Sequence, residues 1–70
     1  MLYTRSELES LPTLHSGHTC NMKIDYPDLR VWLCRDPNYP IITIERRNVD
    51  TGSWETRESY YDIDGEMCAA

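Results

Sequence analysis

No stretch of the chain is apolar for anything near the roughly 20 residues that a bilayer-spanning helix requires. The opening, MLYTRSELES, also lacks an apolar run of signal-peptide length. A soluble, intracellular protein is therefore expected. Positive charge is scarce: 7 Lys and Arg stand against 12 Asp and Glu, a net charge of −5. A phosphate backbone is bound through clustered cations, so direct contact with nucleic acid is not expected, and an acidic chain is better suited to a basic partner. Cysteine is sparse and odd in number. Cys20, Cys34 and Cys68 do not make a closed disulfide framework, and reduced thiols in a cytoplasm are the expectation. A chain of 70 residues forms one domain, and a domain near this size buries only about 60% of its unfolded surface. There is room for one sheet face and one short helix.

What the chain does contain begins with a punctuated helix over residues 3–11. Thr4 is placed as its N-cap, Glu7 as the capping-box partner, and Tyr3 and Leu8 as a hydrophobic staple, with Pro12 ending it. Two turns are too short to stand alone, so Leu8 and Leu11 are expected to cover a sheet. From His18 the period becomes two: His18, Cys20, Met22 and Ile24 alternate with polar residues. DYPD makes a turn, LRVWLCR a second strand, and DPNYP a break, because Pro does not sit inside a central strand. IITIERR is a β-branched third strand, NVDTGS a hairpin loop and WETRESYY a fourth strand. Short links between successive strands predict an α+β fold, a short N-terminal helix followed by a four-stranded antiparallel β-meander over residues 19–61. Met22, Ile24, Val31, Leu33, Ile42 and Ile44 form its expected core. Residues 62–70 are read as a flexible acidic tail.

The chemical signals are few. His15, His18, Cys20 and Cys34 are the types that ligate zinc, and they could meet if the first two strands pair. Their spacing is one loose trio and a mid-strand cysteine, however, not two tight pairs. Loop into strand is the better reading, with Gly17 in a turn, His15 exposed and Cys20 a small buried hydrophobe. No cofactor is expected. DTGS at Asp50 to Ser53 spells the aspartic-protease signature, but it occurs once, follows ERRNV, and fits a hairpin turn with Gly52 at positive φ. DIDGE echoes a calcium loop whose later ligands have no room. Glu55, Glu58, Asp62, Asp64 and Glu66 are then a solvated acidic quarter, less dense in charge than a nucleic-acid mimic needs.

The aromatics carry a different clue. One helix cannot cover both faces of a four-stranded sheet, so some of Trp32, Tyr39, Trp54 and Tyr60 are expected on a partly open face beside Arg30, Arg46 and Arg47. Trp, Tyr and Arg dominate binding hot spots. The competing reading has the aromatics finishing a small core and the arginines pairing across strands with Glu45, Glu55 and Glu58.

YTRSELESLPTL, KIDYPDLRVWLCR and ITIERRNVDTGSWETRESYY together resemble a group of small, uncharacterised proteins encoded by bacteriophages of actinobacteria. The resemblance runs over most of residues 3–61. It implies a phage accessory protein of the bacterial cytoplasm and carries over no functional residue. The expectation is a non-enzymatic module that binds or inhibits a host or phage protein through Trp32, Trp54, Arg30 and Arg46. Two alternatives stand beside it. One is a small zinc-stabilised module using His15, His18, Cys20 and Cys34. The other is a structural or assembly protein of the virion that self-associates through sheet edges.

Overall fold

The computed structural model describes residues 3–63 and 66–69, with the backbone alone for 62, 63, 66 and 67. Thr4 caps the helix α1 (Arg5–Ser10) through its side-chain oxygen, which accepts from the Glu7 backbone N–H at 3.1 Å. The helix ends where Leu11 turns extended and donates its N–H to Leu8 O. Only Leu8 of its residues is buried, and it is fully so. Leu11, expected to share that role, is exposed because the helix closes one residue before it.

Six strands follow: β1 (His15–Ser16), β2 (Cys20–Asp25), β3 (Leu29–Cys34), β4 (Ile42–Arg47), β5 (Trp54–Ile63) and β6 (Glu66–Ala69). Each pairs antiparallel with its neighbour in sequence, so the sheet is a meander in the order β1 to β6. The four expected strands are β2 to β5, and a strand is added at each edge. The stretch read as a flexible tail instead contributes the end of β5 and all of β6, paired from Tyr60↔Ala69 to Ile63↔Glu66. Asp64, Gly65 and Ala70, and the side chains of Asp62 and Glu66, lie outside the described residues. No helix among the described residues is long and apolar enough to cross a membrane.

The turns follow from their residues. Pro27 and Asp28 form the tip of the turn between β2 and β3, closed by the Tyr26 N–H on Leu29 O at 2.8 Å. In the β4–β5 loop the Asn48 side-chain oxygen accepts from the Asp50 and Thr51 amides, and Gly52 takes φ 75°, a conformation that favours glycine. Gly17, at the β1–β2 turn, is needed for another reason: a Cβ there would lie 2.6 Å from the Cys20 carbonyl oxygen.

The core lies between α1 and one face of the sheet. Leu8 joins Ile24, Leu29, Val31, Leu33, Ile42 and Ile44 in one buried cluster, with Tyr3, Ile41 and Tyr60 packed at the margin. Leu8, Ile42, Ile44 and Val31 are essentially inaccessible to solvent, and burying such side chains contributes about 1.5–3 kcal/mol each. Strict alternation on β2 puts Met22 on this same face. It is not there. Ile24 pairs with Val31 and Met22 with Trp32, so Lys23 is an extra residue, a β-bulge that turns the outer half of β2 over. Met22 is still buried, but on the opposite face of the sheet, outside the core cluster.

The same bulge sets Cys20 directly opposite Cys34, and the two form a disulfide. The Cys34 N–H is turned toward β4, donating to Ile41 O, while the Arg35 N–H serves Thr19 O. The cysteine pair therefore occupies a non-hydrogen-bonded position, where side chains of adjacent strands come closest. This corrects the expectation of reduced thiols: an odd count of three leaves room for one bridge, and Cys68, on β6, is not part of it. It also corrects the reading of Cys20 as a buried hydrophobe, since Cys20 is half-buried and covalently bonded.

Candidate functional site: the sheet face opposite the helix

Alternation on β3 sends Leu29, Val31 and Leu33 to the helix and leaves Arg30 and Trp32 on the other side. On β4, Thr43, Glu45 and Arg47 share that second face, opposite Trp32, Arg30 and Trp54 or their neighbours. A further register shift skips Arg57 on β5, so that Thr56 pairs with Glu45 and Trp54 with Arg47. Two irregularities thus shape one face.

The contacts across it are specific. The Trp32 indole N–H donates to Glu45 Oε1, and the Trp32 ring meets the His15 ring edge-on, with centroids 6.4 Å apart and planes at 84°. The Arg30 guanidinium lies 4.1 Å from the centroid of the Trp54 ring and donates its Nε–H to Asp25 Oδ1 at 3.2 Å. Stacking on an indole combines cation–π attraction with dispersion. Arg47 is turned into the adjoining loop, its Nε–H on Gly52 O. Both tryptophans are half-buried. The result is two aromatic plates, one with its indole N–H already held by Glu45 and the other carrying the Arg30 cation over its ring.

The sequence-predicted residues divide. Trp32, Trp54 and Arg30 come together on this face. Arg46 does not: it pairs with Leu29 and Glu55, which puts it on the helix side of the sheet, where it is exposed. Tyr60 also belongs to the helix side, packed at the core margin, and Tyr39 is exposed in the turn before β4, where it helps line a groove of about 350 Å³ with Arg35, Ile41 and Tyr61. The competing reading holds in part. Arg30 and Arg46 stand opposite Glu45 and Glu55 in register, while Arg30 closes on Asp25 and Arg57 on Glu55. Three contributors were missed. Glu45 shares the β4 alternation with Thr43 and could have been read from it; Met22 and His15 reach Trp32 only through the bulge.

The zinc alternative is not assembled. Cys20 and Cys34 are bonded to each other, His15 faces Trp32, and His18 is exposed in the β1–β2 turn with its carbonyl near Arg35 Nη2. Among the described residues no group of three or more His, Cys, Asp or Glu is placed to hold a metal ion. Asp50 of DTGS is exposed in the hairpin loop. DIDGE lies partly outside the described residues. No family model, curated protein or solved structure matches the chain.

Proposed function

We propose that the protein is a non-enzymatic binding module, a phage accessory protein that occupies or inhibits a host or phage protein through the Trp32–Arg30–Trp54 face. The observation that carries this reading is an asymmetry. α1 covers one face of the sheet, while the other bears two half-buried tryptophans and a stacked arginine under no described element. Aromatic and arginine side chains held in fixed positions lose little entropy on binding, which is why they dominate interface energetics. The net charge of −5 favours a basic partner and a fast, salt-dependent approach. A cytoplasmic location rests on the family resemblance alone, since Cys20 and Cys34 are paired.

A second reading, assembly through sheet edges, is favoured by one feature. β1 pairs only with Asn21 and Met22, so the outer edge of β2 from Lys23 to Asp25 has no strand partner among the described residues. Such an edge invites another chain. Affinity capture from host and phage-infected lysates with parent and Trp32→Ala proteins tests the first reading. A protein retained by the parent and lost by the variant supports it. Capture that is indifferent to Trp32 but lost when Asp25, whose N–H points away from β3, is replaced by Pro in a chain that keeps its fold favours the second.

A further inference from the structure

The hairpin β2–β3 holds two registers, and only one is compatible with the disulfide. Near the turn, Asp25 pairs with Arg30 and Ile24 with Val31. Continued without interruption, that register sets Lys23 opposite Trp32, Met22 opposite Leu33, Asn21 opposite Cys34 and Cys20 opposite Arg35. The bulge at Lys23 offsets the outer half by one residue, which brings Cys20 to Cys34 and Met22 to Trp32. We propose that the Cys20–Cys34 disulfide locks the bulged register, and that its reduction lets β1 and the outer half of β2 slip by one residue into the straight one.

Three observations converge on this. The sequence alternation of Cys20, Met22 and Ile24 is that of a strand with a single buried face, and the straight register satisfies it where the bulged one does not. A bulge interrupts the ladder at the extra residue, so removing it restores regular pairing. Lys23 is held by exposed contacts alone, Nζ on Leu11 O at 3.1 Å and on Thr13 Oγ1 at 2.9 Å. In the straight register its ammonium comes to the face that carries Glu45 and the Trp32 indole, an opposite charge and an aromatic ring. His15 pairs with Met22, so it leaves Trp32 with the moving hairpin. The Sγ–Sγ bond breaks as two electrons and two protons arrive from a dithiol, which closes to its own disulfide; Cys20 and Cys34 become thiols. The slip needs no partner to occur. It would make the composition of the Trp32 face depend on redox state.

The test is nuclear Overhauser contacts in the full chain before and after dithiothreitol. In the oxidised protein Met22 and His15 contact Trp32. On reduction these are expected to vanish, with Lys23–Trp32 and Met22–Leu33 contacts appearing while Ile24–Val31 and Val31–Ile44 persist. Retention of Met22–Trp32 in the reduced protein overturns the proposal, and so does loss of Val31–Ile44, because the straight register would then not be a stable alternative. A variant lacking Lys23 provides the second arm: Cys20 and Cys34 align in it without an extra residue, so Met22–Trp32 should survive reduction. Its loss there would mean that reduction loosens the hairpin without shifting it, which also overturns the proposal.

Discussion

Met22 and Ile24 stand two positions apart on β2 yet lie on opposite faces of the sheet, Met22 beside Trp32 and Ile24 beside Val31. One inserted residue therefore moves a buried side chain from the core under α1 to the open face, and aligns two cysteines in the same stroke. The open face is what this displacement builds: Met22 stands beside Trp32, and His15, paired with Met22, meets the indole edge-to-face.

The disulfide closes a loop across a sequence separation of 14. Cross-linking a loop near that length removes unfolded-state entropy worth about 3 kcal/mol. A Cys20→Ser/Cys34→Ser double variant is expected to lose stability of that order in urea unfolding under non-reducing conditions, with a native-like helix signal before the transition. An unchanged midpoint would mean that the bridge constrains nothing.

Ile44 and Val31 are packed against each other across β3 and β4 and are closed to solvent. Ile44→Ala is expected to cost about 2–4 kcal/mol and Val31→Ala somewhat less, since fewer methyl groups leave a smaller cavity. Denaturant midpoints equal to the parent's would place both side chains outside the core.

Most of the fold was legible because period-two alternation and turn residues are local signals. Val31, Leu33, Ile42 and Ile44 follow directly from them, as does the hairpin loop with Gly52. Thr4 marks the helix start for the same reason, its hydroxyl answering an amide three residues on. What local pattern does not contain is register. Lys23 has no sequence mark of a bulge, so the side of Met22 and the partner of Cys20 were misplaced together. Arg46 was grouped with Trp32 because strand phase across the β3–β4 pair was not fixed. β1 and β6 were missed since two residues of β1 make no period, and the polar character of the C-terminal stretch hides strand pairing to β5.

Gly17 makes room for the Cys20 carbonyl oxygen, to which its own N–H donates at 2.8 Å. Gly17→Ala forces that approach apart and is expected to cost about 1–3 kcal/mol, the range for a methyl with no space. A lowered melting temperature together with faster hydrogen exchange in β1, but not in β4, is the expected signature. Equal exchange across the sheet would contradict a local clash.

The Tyr60 phenol is raised above its ordinary value of 10.0, first by desolvation, then by its hydrogen bond to Glu58 Oε2 and the charge of that carboxylate. The unfolded chain ionises this phenol at lower pH than the folded one does. Its contribution to stability is thus complete below the ordinary tyrosine range and is lost as pH rises through the folded value. A phenolate absorbance titration should show Tyr60 among the late-ionising tyrosines, with Glu58→Gln shifting it back toward the ordinary range. No shift in that variant would assign the effect to desolvation alone.

The most direct test of the binding-face account is partner affinity measured for Trp32→Ala beside Arg46→Ala. Trp32 lies at the centre of the open face, whereas Arg46 is exposed on the helix side. The account predicts that Trp32→Ala weakens capture by at least about 2 kcal/mol, roughly thirtyfold, with the circular dichroism of the parent, while Arg46→Ala binds normally. Normal binding by folded Trp32→Ala, or loss of binding through Arg46→Ala alone, would contradict it.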